Sequence, residues 1–261
     1  MKLFKFKKEP LFAELWDVCL HNLLYNKNKY VSEIMDLFKK NNINKKSKLL
    51  DTSAGGGFIA LYLRQKGYDI DCMDLMDDEI QVFKKRAKKL KISTEIKKIS
   101  WKQIPKNYKK ESYDFLFCRG NSFIYADGGW NKKQTINEKS SLDSYRKTLE
   151  NFYNVLKKGG YLYIDKFPDN EKPHKDVTAQ IKVGKREKED LIFYTKKIPS
   201  RRYREAMMIR RTFDGKETGL PNITFDLKEK ELEKIMKEVG FKVKKINLKS
   251  ETHFRVWLAR K

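Results

Sequence analysis

The sequence predicts an α/β protein built on a doubly wound, mostly parallel sheet of seven strands, with an N-terminal helical cover and a small antiparallel lid insertion. Two observations support this fold class. From Lys48 onward, short apolar segments alternate with segments of helical periodicity, as in parallel strands joined by covering helices. Between residues 166 and 225 the apolar positions instead recur at every second residue, which is typical of antiparallel strands.

The first elements follow from periodicity. Residues 11–40 carry apolar positions at helical spacing and predict two helices separated near "YNKNK". Helices are predicted again from about Gly57 to Lys66, over 77–89 and over 138–156. The predicted strands between them are, in order, "KLLDTS", "YDIDCMD", "EIKKIS", "YDFLFCRG" and "GYLYID".

The last third of the chain follows a different pattern. "DLIFYTKKI" and "REAMMIRRTF" predict a hairpin, followed by a turn in "DGKETGLPN". "FDLKEKELEKIMKEVGF" predicts an amphipathic helix, with Asp226 as its N-cap and Gly240 just past its end. "KVKKINLKS" and "HFRVWLARK" predict two closing strands that pair as a hairpin on the sheet.

Composition narrows the class of partner. The net charge is +24, which is typical of nucleic-acid binding, but only 12 of the 59 basic residues are arginine, the residue that binds phosphate bidentately. Nucleic acid is therefore a possible but less favoured partner. No apolar run approaches the roughly 20 residues of a membrane span, so we expect a cytoplasmic protein with no membrane partner. The three cysteines have no metal-ligand spacing, and we expect no metal.

A glycine turn is the strongest local signal. Gly55, Gly56 and Gly57 join a strand directly to a helix, so a ligand can approach the backbone closely and meet the N–H groups of the helix start. Asp74 ends the next strand about 20 residues later, where an acidic side chain accepts hydrogen bonds from ribose hydroxyls. The sequence therefore predicts a nucleoside site at the carboxyl ends of the parallel strands.

The spacing around this turn is neither G-x-G-x-x-G nor a phosphate-binding loop. "DTSAGGG", from Asp51 to Gly57, instead resembles the first motif of class I S-adenosylmethionine-dependent methyltransferases, with Ser53 in place of the commoner glycine. The resemblance implies a Rossmann-like fold, S-adenosylmethionine as cofactor and S-adenosylhomocysteine as product. It implies these cofactor-binding residues: Asp51, Ser53, Gly55, Gly57, Asp74, Leu75, Trp101, Arg119 and Gly120.

Two further stretches narrow the resemblance. "ISWKQIPK" and "YDFLFCRGNSFIYADG" resemble the corresponding loops of glycine N-methyltransferase and the glycine/sarcosine N-methyltransferases. By that resemblance Trp101 stacks on adenine, and Arg119 and Gly120 present backbone to the methionine part of the cofactor. Asn121 then faces the methyl-acceptor pocket and is a candidate catalytic and substrate-binding residue.

The acceptor residues are harder to assign, because the arginine that grips the substrate carboxylate in the glycine-type enzymes is absent from "YIDKFPDN". Lys166, or Arg202 or Arg204 from the insertion, could serve as that anchor. An amine must be neutral to attack a methyl group, so His21 or Tyr25 could help to remove its proton. Trp16 lies in the same N-terminal segment and is a candidate substrate contact.

We therefore expect a single methyltransferase domain over 1–261. Its predicted parts are a helical cover over 1–46, a cofactor-binding core over 47–165, a lid insertion over 166–225 and a C-terminal helix and hairpin over 226–261. The predicted acceptor is the nitrogen of an amino acid or related amine. An RNA or protein methyltransferase that uses the basic surface, and a non-catalytic cofactor-binding protein, stay open as alternatives, and the sequence does not address oligomeric state.

Overall fold

Two β-sheets organise the protein in the computed structural model, which describes residues 1–19, 26–128, 137–170, 172, 174–250 and 253–261. The larger sheet has seven strands: β2 (Lys48–Asp51), β3 (Asp69–Asp74), β4 (Ile96–Lys98), β5 (Tyr113–Cys118), β6 (Leu156–Lys166), β11 (Lys242–Ile246) and β12 (Arg255–Arg260). Their order across the sheet is β11-β12-β6-β5-β2-β3-β4.

The pairing of these strands confirms the predicted fold class. Strands β2 to β6 run parallel to one another, whereas β12 is antiparallel to both β6 and β11. The strand order reverses direction at β2, from which the chain continues to β3 on one side and β5 lies on the other. In open α/β sheets ligands bind beyond the carboxyl ends of the strands at such a reversal, which is where the glycine turn lies.

A second, five-stranded sheet has the order β1-β7-β8-β9-β10. Its strands are β1 (Leu3–Phe6), β7 (His174–Val183), β8 (Lys188–Ile198), β9 (Tyr203–Arg211) and β10 (Glu217–Phe225). The hairpin expected in this region is present, but the turn predicted over "DGKETGLPN" ends by Lys216 and the rest of that stretch is strand. Strand β1 was not predicted, although "KLFKFKK" has the alternation of a strand.

Seven helices are present in the described residues: α1 (Phe12–Cys19), α2 (Lys27–Lys40), α3 (Phe58–Gln65), α4 (Asp77–Lys89), α5 (Ile104–Asn107), α6 (Glu138–Val155) and α7 (Glu229–Val239). The predicted bounds of α4 are confirmed. The predicted N-cap of α7 is wrong: its capping position is Lys228, and the first helical N–H, on Glu229, donates to the carboxylate of Asp169. Gly240 ends the helix with φ +113°, as expected.

The larger sheet is buried on both faces. Phe115 and Phe117 of β5 belong to a cluster with α2 and α3, whereas Leu116 and Cys118 belong to one with α6 and α7. This alternation follows from the two-residue period of a strand. A smaller third cluster packs one face of α1 against β7, β8 and β9 of the second sheet. Helix α1 therefore joins the N-terminal segment to that sheet.

Candidate functional site

A cavity of about 330 Å³ lies where the two sheets and α1 meet. One side, the cofactor wall, is formed by the glycine turn, the end of β3, the start of α4, Trp101 and the Arg119–Gly120 turn. The other side, the acceptor wall, is defined by six residues: Trp16, Tyr125, Phe193, Ala206, Met208 and Asn222. The cavity thus opens at the carboxyl ends of the parallel strands, as the sequence predicts.

The glycine turn needs glycine at two of its positions. Gly55 has φ +51° and Gly57 has φ +83°, conformations that other residues adopt with strain. A β-carbon on Gly57 would lie 2.7 Å from a ring carbon of Phe83, and one on Gly55 would lie 3.2 Å from the Glu79 carboxylate. Gly57 therefore serves the packing of α3 on α4, while Gly55 keeps the cavity side of the turn clear.

Asp74 organises this turn from the end of β3. Its Oδ2 accepts the N–H of Gly55 at 2.8 Å, and its Oδ1 accepts those of Leu75 at 2.8 Å and Met76 at 3.0 Å. A carboxylate has about four acceptor sites, so Asp74 can accept a further hydrogen bond on the side that lines the cavity. Burial raises the pKa of this carboxyl, and the three N–H donors oppose that rise.

Glu79 is a second carboxylate of the cofactor wall, and the sequence analysis did not identify it. It lies in the first turn of α4, lines the cavity and accepts a hydrogen bond from the backbone of Gly56. Burial, and then the nearby charge of Asp74, raise its pKa to about 7. A sequence signal for it exists, because acidic residues are favoured in the first turn of a helix and this turn begins three residues after the end of β3.

Asp51 and Arg119 form the charged floor behind the turn. Asp51 is fully buried, its Oδ1 accepts the N–H of Ser53 at 3.2 Å, and its Oδ2 has no hydrogen-bond partner among the described residues. Burial raises the Asp51 pKa to about 6, and the positive charge of Arg119 opposes this. Ser53 also accepts the N–H of Arg119, at 3.2 Å, so its hydroxyl ties the two turns together.

Trp101 is held so that its ring lines the cavity. Its indole N–H donates to the carbonyl of Thr52 at 2.6 Å, and its ring stands edge-on to Phe152 with centroids 5.8 Å apart. The residue is only half buried, which leaves ring surface facing the cavity. A tryptophan fixed in this way offers an apolar platform for a flat ring.

Asn121 lies behind the cavity rather than in it. Its side-chain oxygen accepts the N–H of Phe167 at 3.1 Å, and it is absent from the cavity lining. Its own N–H and that of Gly120 donate to Asp165, at 2.7 and 3.0 Å. Asp165, which the sequence analysis did not single out, thus holds the turn after β5 from the end of β6.

The three predicted carboxylate anchors also lie outside the cavity lining. Lys166 donates to its neighbour's carbonyl and to Asp169. Arg202 pairs with Glu138 and Glu231. Arg204 is buried, with its guanidinium 4.1 Å from the ring centroid of Phe167.

Of the predicted N-terminal residues, only Trp16 can be placed, and it lines the cavity with its ring 5.6 Å from that of Phe193. His21 and Tyr25 lie outside the described residues.

Helix α1 is fastened to the glycine turn through Arg86 of α4. Arg86 donates to the carbonyl of Gly56 at 3.0 Å and forms an ion pair with Asp17 of α1. A second ion pair joins Lys85 to Glu14 at 2.8 Å. The N-terminal wall of the cavity and the backbone that would contact a cofactor are therefore linked by one side chain.

The acceptor wall comes mainly from the second sheet, and most of it was not identified from sequence. Ala206 pairs with Asn222 across β9 and β10, and Phe193 pairs with Met208 across β8 and β9. These paired residues lie on the sheet face toward α1, because alternate residues of a strand share a face. The alternation in "REAMMIRR" puts Ala206 and Met208 on that face, but a sequence pattern cannot say what the face covers.

Two observations bear on other kinds of site. Within the described parts of the chain, no three histidine, cysteine, aspartate or glutamate side chains are grouped as metal ligands. In those same parts no helix has the length and apolar character needed to cross a membrane.

The cofactor wall fits the chemistry of S-adenosylmethionine. The clear space at Gly55 would be filled by a β-carbon, Asp74 and Glu79 are acceptors for hydroxyl or amino groups, and Trp101 suits an adenine ring. Asp51, whose Oδ2 has no hydrogen-bond partner among the described residues, lies behind this wall and outside the cavity lining.

Comparison with known proteins identifies the family. A family model described as a methyltransferase domain matches residues 43–240. A curated glycine/sarcosine N-methyltransferase from Aphanothece halophytica is 29% identical over 119 residues, which is 45% of this chain. The chain matches only 39% of that protein's length.

Solved structures share the fold across nearly all of the chain. An S-adenosylmethionine-dependent methyltransferase from Clostridium acetobutylicum has a TM-score of 0.70 at 15% identity, covering 95% of this chain and 97% of that one. An amino pentose methyltransferase from Micromonospora echinaspora, solved with S-adenosylmethionine bound, has a TM-score of 0.67 at 12% identity, covering 97% and 98%. A sugar N-methyltransferase from Streptoalloteichus sp. gives 0.69 at 11% identity, covering 97% and 95%.

The family match spans most of the chain and includes the glycine turn, the end of β3 and the turn after β5. It agrees with the strand order and with the position of the cavity at the reversal point of the sheet. The chain belongs to the methyltransferase domain family, with the Rossmann-like fold of the S-adenosylmethionine-dependent methyltransferases.

Proposed function

We propose that the protein transfers a methyl group from S-adenosylmethionine to the nitrogen of a small-molecule amine. The observation that carries this proposal is the two-walled cavity. Its cofactor wall unites the glycine turn, two carboxylates and a tryptophan, and its acceptor wall closes the opposite side with apolar and neutral polar groups. A volume of about 330 Å³ suits small ligands and leaves little room for a polymer segment.

The residues that would hold the cofactor follow from their contacts. Gly55 and Gly56 offer backbone, Asp74 and Glu79 offer carboxylate acceptors, and Trp101 offers a ring face. S-adenosylmethionine supplies a methyl group on a sulfonium centre whose leaving group needs no proton. The chain therefore has little acid–base work to do on that side of the reaction.

The protein's contribution is then alignment and the exclusion of water. Trp16, Phe193 and Met208 provide an apolar surface that excludes water from the acceptor side. Burial raises the pKa of Tyr125 to about 12, so its hydroxyl keeps its proton and acts as a hydrogen-bonding group rather than as a base. His21 and Tyr25 stay candidates for removing the amine proton.

The comparisons support an amine as acceptor. The structures similar to this chain include an amino pentose methyltransferase and a sugar N-methyltransferase, and the curated relative is named for glycine and sarcosine. All three names refer to nitrogen-bearing small molecules. A cytoplasmic location stays part of this proposal.

The test is release of S-adenosylhomocysteine from S-adenosylmethionine across amino acids, amino alcohols, amino sugars, polyamines and bulk RNA. We expect turnover with small amines and none with RNA. Turnover with RNA alone would contradict the proposal and favour the basic surface as the substrate-binding region. Tight cofactor binding without turnover on any acceptor would favour a non-catalytic cofactor-binding protein.

A further inference from the structure

The acceptor wall has a distinct chemical character. Four of its six residues present apolar surface to the cavity: Trp16, Phe193, Ala206 and Met208. The other two, Tyr125 and Asn222, are polar but uncharged. None of the six carries a charge at neutral pH, since the Tyr125 pKa lies at about 12. The part of the acceptor that lies against this wall therefore meets no charged partner there.

The cations of the cavity lie on the cofactor side. Among the described residues that line it, the cations are Lys102 and Arg119. Lys102 follows Trp101 directly, and Arg119 lies among carboxylates, where its charge lowers the pKa values of Asp51 and Glu79. Neither side chain belongs to the second sheet or to α1.

The three basic residues that the sequence offered as carboxylate anchors do not line the cavity. Lys166 and Arg202 are in ion pairs with acidic side chains. Arg204 shares the sheet face of Ala206 and its charge opposes the rise in the Tyr125 pKa, but it packs on Phe167 outside the cavity lining. A substrate carboxylate at the acceptor wall would lose its hydration without a cation in direct contact, which is unfavourable. The anchor that an amino-acid substrate requires is therefore missing from the described cavity.

The charge balance of the cavity favours a cation. Four acidic residues line it, against the two cations on the cofactor side, and one of the four, Asp17, is paired with Arg86; the four are Asp17, Asp74, Asp78 and Glu79. An excess of one sign of charge in a cavity attracts ligands of the opposite sign and repels those of the same sign. An amine that arrives as an ammonium ion is attracted, whereas a carboxylate is repelled.

Asn222 offers the polar contact that such a ligand needs. It lies on β10 directly across from Ala206, on the face toward α1. Its amide can donate two hydrogen bonds and accept others, which suits a hydroxyl group on the substrate. The other cavity-lining residues of that face are apolar, namely Phe193, Ala206 and Met208, so an unmatched hydroxyl against them would be penalised and a matched one favoured.

We infer that the acceptor is an amine carried on an uncharged, hydroxyl-bearing frame, without a carboxylate, and that Asn222 is a specificity-determining residue that hydrogen-bonds this frame. The inference rests on the proposed methyl transfer and narrows its substrate class. It sets aside the carboxylate-bearing acceptors that the sequence alone favoured.

The experiment uses matched pairs of amines that differ in carrying a carboxylate or a hydroxymethyl group: glycine and ethanolamine, sarcosine and N-methylethanolamine, serine and serinol, glucosaminic acid and glucosaminitol. The readout is kcat/KM for S-adenosylhomocysteine release. We expect the uncharged member of at least one pair to be preferred by about tenfold or more. Equal turnover within the pairs, or preference for the carboxylates, overturns the inference.

The two failures can be distinguished. Turnover of the carboxylate-bearing amines alone overturns the inferred acceptor class and leaves the proposed methyl transfer standing. Turnover of no amine while calorimetry shows S-adenosylhomocysteine bound, or failure to bind the cofactor at all, overturns the proposed function itself.

Substitution at Asn222 tests its role separately. Asn222→Lys puts a cation on the acceptor wall and should shift the preference within each pair toward the carboxylate, mainly through KM. Thr218→Lys is the matched control, because Thr218 lies four residues away on the same strand and is exposed outside the cavity. An unchanged preference in a folded, cofactor-binding Asn222→Lys protein would overturn the assignment, as would an equal shift in the control.

Discussion

At the scale of single residues, two carboxylates of the cofactor wall both bind backbone N–H groups and line the cavity. Asp74 holds three backbone N–H groups and still faces the cavity, and Glu79 accepts from the glycine turn while lying beside Asp74. Like charges this close disfavour joint ionisation, which is one reason for the raised pKa of Glu79. A cationic ligand would relieve that repulsion.

We therefore expect the affinity for S-adenosylmethionine to rise several-fold as pH increases from 6 to 8, because Glu79 ionises over this range and its charge attracts the ligand. Asp74, Asp78 and Arg119 face the same group, and the first two act to keep it protonated. Glu79→Gln should remove most of this pH dependence in a calorimetric titration.

Asp77→Asn is the control for Glu79→Gln. Asp77 lies on the same first turn of α4 but is exposed and does not line the cavity. The Asp77 variant should keep the wild-type pH profile. An Asp77 profile that flattens as much as that of the Glu79 variant would refute the assignment.

A second prediction concerns Asn121, whose contacts are structural. Asn121→Ala should lower the free energy of unfolding by about 2–4 kcal/mol, since the buried N–H of Phe167 loses its acceptor and alanine is strained at φ +61°. Asn121→Gly loses the same hydrogen bond but avoids the backbone strain, so its stability should fall less than that of Asn121→Ala. Chemical denaturation measures both.

Wild-type stability in Asn121→Ala with a large loss of turnover would instead show that Asn121 acts directly on the acceptor.

Much of the cofactor wall could be predicted from sequence, because the turn and the end of β3 are local features read from glycine spacing and one acidic residue. The role of Asn121 could not be, because its partner Phe167 lies at the exit of β6 and only the folded sheet brings the two together. The contacts of Lys166 could not be predicted for a similar reason: its partner Asp169 also caps α7, a contact that no sequence pattern shows.

At the scale of elements, the tight packing of α3 on α4 explains why residue 57 is glycine. Gly57→Ala places a methyl group 2.7 Å from Phe83 and 2.8 Å from Leu61 in a left-handed conformation. We expect a loss of stability of about 2–4 kcal/mol, combining backbone strain with overpacking.

Gly215→Ala is a closely matched control for Gly57→Ala, because Gly215 also has φ +83° but nothing lies within 4 Å of its β-carbon position. Gly215→Ala should lower the free energy of unfolding only by the backbone strain, about 1–2 kcal/mol. Equal losses in the two variants, measured by denaturant unfolding, would contradict the packing argument.

The attachment of α1 gives a further prediction at this scale. Arg86→Ala removes both the bond to the Gly56 carbonyl and the ion pair with Asp17, so cofactor affinity and stability should fall together, the latter by about 1–3 kcal/mol. Lys85→Ala removes a neighbouring pair whose lysine is exposed, and its effect should stay within about 1 kcal/mol.

Thermal unfolding with and without cofactor distinguishes these two variants. A cofactor affinity that is unchanged in Arg86→Ala would show that α1 and the glycine turn are not coupled.

The predicted ends of elements were most accurate where helical periodicity continued over many residues, as in α4 and α6. The prediction was wrong where a strand has the composition of a turn. Strand β10 contains glycine, proline and asparagine, yet pairing with β9 throughout its length holds it extended. Tertiary pairing overrode local preference there, as β-strands often show.

At the scale of the whole molecule, the cavity draws residues from α1, the glycine turn, β3, α4, the turn after β5 and three strands of the second sheet. The chain carries a net charge of +24, yet the cavity lining has more acidic than basic residues. Net charge is thus a poor guide to this site, because it describes the surface as a whole. Sequence analysis predicted the fold and one wall of the cavity, while the opposite wall depends on how the second sheet is placed against the first.

The central claim is that this cavity binds S-adenosylmethionine, and calorimetric titration of the cofactor into wild type, Asp74→Ala and the control Asp77→Ala tests it most directly. We expect one equivalent to bind to wild type and to Asp77→Ala, and markedly weaker binding to Asp74→Ala. At about 100 times its dissociation constant the cofactor should add about 2.7 kcal/mol to wild-type stability. Absence of binding to wild type, or binding that is unaltered by loss of the Asp74 carboxylate, would contradict the account.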